Sequence, residues 1–252
     1  MHIDLSESNV LVTGASRGIG AAIARQLVRS GARVAAHYNT DAEGAKRAIA
    51  GCLRGSVTLA ADLGDAEAAR GLFAEAVEQM GHVDALVNNA GVAFESPLDM
   101  PLEQWCDNWD RTQAVNLRAA AILSREAVAH FGARSGGRIV HIASRAAFRG
   151  DAMEYLAYAA SKGGMVALSR SIARGAGKDG VTSFVVAPGY VRTDMAQPFI
   201  DLYGEEVAME GNALGRLTEP DDVAPVVVFL ASGMADHATG TTIDVNAGSY
   251  VR

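Results

Sequence analysis

Tyr158 and Lys162 stand four residues apart in Tyr158-Ala159-Ala160-Ser161-Lys162, a spacing that puts a phenol and an ammonium on one face of a helix. A phenol titrates near pH ~10 and is a poor acid–base catalyst at neutral pH, but a nearby cation favours its ionised form and moves its pKa toward the working range. Taken alone, the pair is equally an ordinary helix face with a half-buried tyrosine and a solvated lysine. Tyr155 lies three residues upstream, but only Tyr158 has a lysine four residues on.

A second stretch with chemical meaning is Thr13-Gly14-Ala15-Ser16-Arg17-Gly18-Ile19-Gly20. Glycines in a turn between a strand and a helix let backbone N–H groups approach a pyrophosphate, and the helix N-terminus receives its charge. The spacing is Gly-x-x-x-Gly-x-Gly, and the alternative reading is a βα turn that binds nothing.

The elements around these residues alternate. Val10–Thr13 reads as a strand, Ile19–Ser30 as a helix closed by Gly31, Arg33–Tyr38 as a strand, and Asp41–Leu53 as a helix. Val57–Ala60 is a strand, Asp65–Met80 a helix stopped by Gly81, and Asp84–Asn88 a fourth strand. Leu102–Arg134 holds one or two helices, Arg138–Ala143 a strand, Tyr155–Ala176 a helix, and Val181–Ala187 a strand ended by Pro188-Gly189. The stretch from Tyr190 to Gly215 has dispersed apolar residues without a strand pattern and reads as a mobile insertion or lid. Pro220–Ala231 and Thr242–Val245 supply a last helix and strand. Apolar strands alternating with helices imply a parallel sheet covered on both faces and joined by right-handed crossovers.

Composition narrows the function classes. With 20% charged and 49% apolar residues the chain reads as globular, and its net charge of −7 argues against a nucleic-acid or anionic-membrane surface. Met1–Ser8 carries no apolar core of a signal peptide, and no apolar run is long enough to span a bilayer, so the expected location is cytoplasmic. Cys52 and Cys106 stand in neither a metal-ligand nor a redox spacing, and the six histidines are scattered, so no protein-built metal site is expected.

Thr13-Gly14-x-x-x-Gly18-x-Gly20, Asn88-Asn89-Ala90-Gly91, Ser144, Tyr158-x-x-x-Lys162 and Pro188-Gly189-Tyr190-Val191-Arg192-Thr193 occur in the order and at about the spacing of the short-chain dehydrogenase/reductase family. The chain resembles that family over essentially its whole length. The resemblance implies one Rossmann-type α/β domain, a doubly wound parallel sheet of about seven strands. It implies Tyr158 as the acid that protonates a carbonyl oxygen, and Lys162 as the cation that lowers its pKa and holds the nicotinamide ribose. Ser144 would donate to the substrate oxygen, and Asn116 would hold a water in a proton relay; a strand-end cap and a helix-interior amide are their alternative readings.

The same resemblance implies the cofactor contacts. Gly14, Ser16, Arg17, Gly18, Ile19 and Gly20 would cradle the pyrophosphate, Asp62 and Leu63 the adenine, Asn89, Ala90 and Gly91 the sheet-edge side of the cofactor, and Pro188, Gly189, Val191 and Thr193 the carboxamide. Asp62 is equally a helix N-cap, and the other two stretches are equally plain turns. NAD-preferring members carry an acidic residue at the end of the second strand; here Tyr38, Asn39 and Thr40 stand there, and Arg17 can pair with a phosphate. NADP is therefore expected, with NAD as the alternative.

Three departures stand out. The interval from Ser144 to Tyr158 is about a residue longer than is commonest, Val245-Asn246-Ala247-Gly248 replaces Val-Asp-Gly-Gly, and Arg145 and Arg149 follow Ser144 where many relatives have small residues. These arginines read as solvent-facing, with recognition of an anionic substrate as the other reading. The expected activity is reduction of a ketone to a secondary alcohol, with carrier-bound 3-oxoacyl thioesters among the substrates considered. A sugar or secondary-alcohol dehydrogenase using NAD, and a silent NADP-binding regulator, are the alternatives. Relatives pair the helices near Leu117–Arg134 and Tyr155–Ala176 into tetramers, so a homotetramer is expected.

Overall fold

The computed structural model describes residues 3–52 and 55–251. Seven parallel strands form one sheet: β1 (Asn9–Val12), β2 (Arg33–Tyr38), β3 (Val57–Ala60), β4 (Ala85–Asn88), β5 (Gly137–Ile142), β6 (Val181–Pro188) and β7 (Thr242–Val245). Their spatial order is β3-β2-β1-β4-β5-β6-β7. The chain therefore reverses direction of growth between β1 and β4. At that switch point the loops leaving two adjacent strands diverge, and the crevice at the carboxyl edge is where open α/β sheets bind ligands.

Helices α1 (Gly18–Arg29), α2 (Ala42–Ala48), α3 (Ala66–Met80), α4 (Leu102–Gln113), α5 (Ala119–Gly132), α6 (Ala146–Arg149), α7 (Leu156–Gly175), α8 (Gln197–Tyr203), α9 (Glu205–Ala208) and α10 (Pro220–Ala231) complete the regular structure with short turns. Alternate residues along one strand point to opposite faces. Accordingly Val10 and Val12 join one buried cluster with residues of α1, α2 and α10, while Leu11 joins another with residues of α3 and α5. Both faces are apolar, which is why the strands read as continuous hydrophobic runs.

Most boundaries fall within one or two residues of the sequence reading, and three stretches differ in a larger way. The helix expected over Asp41–Leu53 ends at Ala48, because Gly51 takes the left-handed φ of 83° that terminates a helix; Leu53 lies outside the described residues. The run from Leu102 is continuous into α5 but contains a π-helical segment at Ala114–Arg118. The stretch 190–215 is not featureless: it forms α8 and α9 around a small cluster of Ala196, Ile200, Ala208 and Leu217, with Tyr190 and Phe199 packed on it. Arg192 ties it down through ion pairs with Glu205 at 2.7 Å and Glu219 at 2.9 Å.

Candidate active site

The glycine turn sits between β1 and α1 and is clamped across the switch point. Thr13 Oγ1 accepts from the N–H groups of Asn89 (2.9 Å) and Ala90 (3.0 Å), and the Asn89 amide donates to the carbonyls of Thr13 (2.8 Å) and Gly14 (3.1 Å). From the other side the Gly14 N–H donates to His37 Nδ1 at 3.0 Å, while His37 Nε2 lies 3.1 Å from the Ala61 carbonyl. Nδ1 as acceptor leaves Nε2 the proton, so this ring is neutral, in agreement with burial lowering its pKa. His37 carries no sequence signature; only its register on β2 brings it beneath the turn.

Two glycines are required here by geometry. Gly14 has a left-handed φ of 64°, and a Cβ on Gly20 would lie 2.1 Å from the Gly14 carbonyl oxygen. The turn thus approaches as bare backbone, and the first turn of α1 carries neither an acidic residue nor a side-chain cap at Arg17. Unpaired helix N–H groups beside a glycine cradle suit a pyrophosphate. The residues present fit a dinucleotide.

The remaining cofactor candidates divide. Gly18 faces Thr193, whose methyl a Cβ there would meet at 3.2 Å, so the first glycine turn and the loop after β6 come together. Arg17, 73% exposed at its side chain, lies 3.6 Å from Asp194. Gly189 packs on Asn246, and Val191 pairs with Thr218. Pro188 ends β6, and its carbonyl accepts the Arg145 N–H at 2.9 Å. Tyr38 is packed on the core, with Asn39 and Thr40 exposed beyond it. Asp41 is committed to capping α2 through the Gly44 N–H at 2.8 Å. Asp65, not Asp62, caps α3; Asp62 closes a local turn onto the Gly64 N–H at 2.8 Å. The Leu63 side chain belongs to the core, which leaves only its main chain for a ligand. Ser16 presents its carbonyl to Gly44, where a Cβ would lie 2.4 Å from it, and Ile19 packs against the core.

The four acid–base candidates converge at the carboxyl edge of β4 and β5. Asn116 is wholly buried in the π-helical segment, a feature that recurs at functional sites. It accepts from the Val92 N–H at 2.8 Å and donates to the Val92 carbonyl at 2.9 Å and to Ser161 Oγ at 3.0 Å. Gly91 lets Lys162 in, since a Cβ there would stand 3.3 Å from Nζ. Ser144 accepts from the Ala146 N–H at 3.1 Å, and its hydroxyl is near enough to the Tyr158 phenol to favour the ionised form. Ser161, inside the Tyr-Lys motif, and Val92 were not singled out from sequence. Nor was the Ile142 carbonyl, which accepts from Lys162 Nζ at 2.9 Å.

One electrostatic expectation is reversed. Burial pushes the Tyr158 pKa up to about 12, with the Ser144 hydroxyl pulling weakly the other way; Lys162 is not among the groups that move it. The residue keeps some accessible surface, but its phenol is desolvated. The Lys162 ammonium lies 5.6 Å from the phenol ring and donates to the Ile142 carbonyl at 2.9 Å. Lys162 itself is 3% exposed, and burial lowers its pKa to about 8. At neutral pH the phenol is protonated and the ammonium mostly charged.

Arg145 corrects a second expectation: it is 8% exposed rather than solvent-facing, whereas Arg149 is exposed. The extra length between Ser144 and Tyr158 is taken up by α6 and a 3₁₀ turn at Met153–Tyr155, joined through Gly150 at a φ of 80°. Among the described residues no group of three or more His, Cys, Asp or Glu is arranged to hold a metal ion, and no helix is long and apolar enough to cross a membrane.

The chain is similar to known proteins over nearly its whole length. A family model described as Enoyl-(Acyl carrier protein) reductase matches residues 14–250. The chain is 38% identical to the L-rhamnose 1-dehydrogenase (NAD(P)(+)) of Azotobacter vinelandii, over 98% of each chain. It is 34% identical to the 3-oxoacyl-acyl-carrier-protein reductase FabG of Staphylococcus aureus, over 96% of this chain and 98% of the relative. A solved structure from Beutenbergia cavernae, described as an NAD(P)-dependent gluconate 5-dehydrogenase with NADP bound at low occupancy, superposes with a TM-score of 0.88 at 35% identity, covering 99% of each chain.

Proposed function

This chain belongs to the short-chain dehydrogenase/reductase family, and from that premise we propose that it reduces a ketone to a secondary alcohol with NADP(H), or runs the reverse reaction. The observation that carries the reading is the convergence of Ser144 and Tyr158 at the carboxyl edge of the sheet with the buried, hydrogen-bonded Lys162 and Asn116.

A bound nicotinamide supplies the hydride in reduction and takes it up in oxidation. The protein's own residues handle the oxygen. Ser144 orients the carbonyl by donating to its oxygen, and Tyr158, protonated at neutral pH, gives that oxygen a proton as negative charge develops there. The Lys162 ammonium, 5.6 Å from the phenol ring, would hold the ribose hydroxyls of a bound cofactor. Asn116, gripped at Val92, holds a water in the relay that replaces the proton.

In this reading Gly14, Ser16, Gly18, Ile19 and Gly20 carry the pyrophosphate, and Asn89, Ala90 and Gly91 carry the adjoining ribose. Asp62 and the Leu63 main chain carry the adenine, and Pro188, Gly189, Val191 and Thr193 the carboxamide. NADP is preferred because no carboxylate ends β2, Asp41 is occupied as a cap, and Arg17 has only a long, exposed pair with Asp194 to give up. The relative with NADP bound supports this choice. The segment 190–215 serves as the substrate lid, and the protein assembles as a homotetramer.

Likeness to a rhamnose dehydrogenase at 38% identity favours a sugar or secondary alcohol as the second reading, and likeness to a 3-oxoacyl reductase keeps carrier-bound thioesters among the substrates. Oxidation of NADPH with a panel of ketones, acetoacetyl thioesters and keto sugars tests the activity. No turnover on any of them with cofactor binding retained would leave a silent binding protein. Tyr158→Phe is expected to lower kcat by about 10³-fold while leaving the cofactor Kd within about twofold. Arg17→Ala is expected to lower the preference for NADPH over NADH about tenfold, read as the ratio of kcat/KM values.

A further inference from the structure

Arg145 directly follows Ser144 and is nearly as inaccessible as the core, yet no neighbour among the described residues balances its charge. Among the described residues no carboxylate stands within ion-pair distance of it. Its one side-chain hydrogen bond among those residues runs from Nη1 to Ser249 Oγ, out of five available donors. The charged and titratable groups around it are Arg149, of like sign, Asp151 and Tyr190. Asp151 is exposed and accepts from the Ala152 N–H at 2.9 Å.

Burying a guanidinium without a counter-charge is costly, and such groups persist where a ligand completes them. The placement says which ligand. The Arg145 N–H is bonded to Pro188, which fixes this residue against the loop after β6. Tyr190, in the loop after β6, is near enough to both Arg145 and Tyr158 for their charges to act on it. Because Arg145 is the residue after Ser144 and is held at Pro188, it is the cation next to a substrate whose oxygen rests on Ser144 and Tyr158.

We propose that Arg145 receives a carboxylate of the substrate, so that the carbonyl reduced is that of a keto acid and the alcohol formed is a hydroxy acid. The planar fork of arginine matches a carboxylate with two parallel hydrogen bonds. The carboxylate is a handle and leaves the site unchanged. This inference rests on the activity proposed above and adds the substrate class.

The test uses the full chain with NADPH and matched substrates, 2- to 5-keto acids against their methyl esters and primary amides, with a phosphorylated ketone as a separate arm. For at least one keto position kcat/KM is expected to favour the acid over its ester by at least about 100-fold. In Arg145→Gln that ratio is expected to fall to near one, and in Arg145→Lys to an intermediate value. Equal rates on acid and ester, a ratio unchanged in Arg145→Gln, or preference for the phosphorylated ketone would each overturn the carboxylate assignment. Where Arg145→Gln fails to fold, calorimetric binding of a non-reacting hydroxy acid and its amide to the unmodified protein with NADP decides, and equal affinities overturn it. Neutral ketones turned over without acid preference defeat this inference alone. No turnover of any ketone defeats the proposed activity, and the binding comparison still reads the role of Arg145.

Discussion

The two halves of the crevice are built from different materials. On the β1 side the site is chiefly backbone: the Gly14–Gly20 turn is glycine-rich, and its shape is held by Thr13, Asn89 and His37. On the β5 side it is buried side chains: Asn116, Lys162, Arg145 and the phenol of Tyr158 all sit in surroundings that shift or neutralise their chemistry. A backbone site fails by crowding, because a carbonyl cannot move aside. A site of buried titratable groups fails by protonation, because its energetics depend on which groups are charged.

The sharpest way to break this contrast is to add one methyl group. Gly20→Ala places a Cβ 2.1 Å from the Gly14 oxygen and 2.4 Å from the Asn89 amide nitrogen. It is expected to cost roughly 3 kcal/mol or more in urea unfolding and to weaken NADP binding more than tenfold. Gly71→Ala, in the exposed interior of α3 with nothing near its Cβ, is the control and should stabilise by up to about 1 kcal/mol. If the two changes cost alike, the turn is not held by close approach.

The opposite half is probed with acid. His141 lies on β5 beside Asn88, 3.4 Å from its amide, and its Nε2 is buried without a hydrogen-bond partner among the described residues. Burial, helped by the Lys162 charge, lowers its pKa from 6.5 to about 3. A base with a depressed folded pKa contributes stability that is complete above pH 6.5 and is lost as pH falls toward about 3, where the unfolded chain binds the proton first. The urea midpoint is expected to drop between pH 7 and pH 4 by an amount equivalent to roughly 2–3 kcal/mol. His141→Gln should flatten that drop. An equally steep fall in the variant would assign the acid sensitivity elsewhere.

The smallest expected effect lies where the halves are tied at the C-terminus. Ala247 occupies a left-handed φ of 51°, accepts the Ala213 N–H at 2.8 Å through its carbonyl, and adjoins the Asn246–Ser249 turn that meets Arg145. A Cβ in that region is strained. Ala247→Gly is expected to raise the unfolding free energy by up to about 1 kcal/mol, and a loss instead would mean that chain entropy outweighs the strain.

Much of this molecule is set by sequence alone. Strand and helix alternation, the seven-stranded parallel sheet, the glycine turn and the four-residue spacing of Tyr158 and Lys162 are local or periodic properties. They survive in a linear reading because each depends on residues close in the chain. What tertiary structure decided is which side chains lose water. The sequence cannot distinguish Arg145 from Arg149, yet packing against Pro188 and Ser249 buries only the first. The same holds for the phenol, whose pKa rises through burial where its neighbour in sequence promised the reverse. Desolvation is summed over atoms from many elements, and no spacing in the chain encodes that sum.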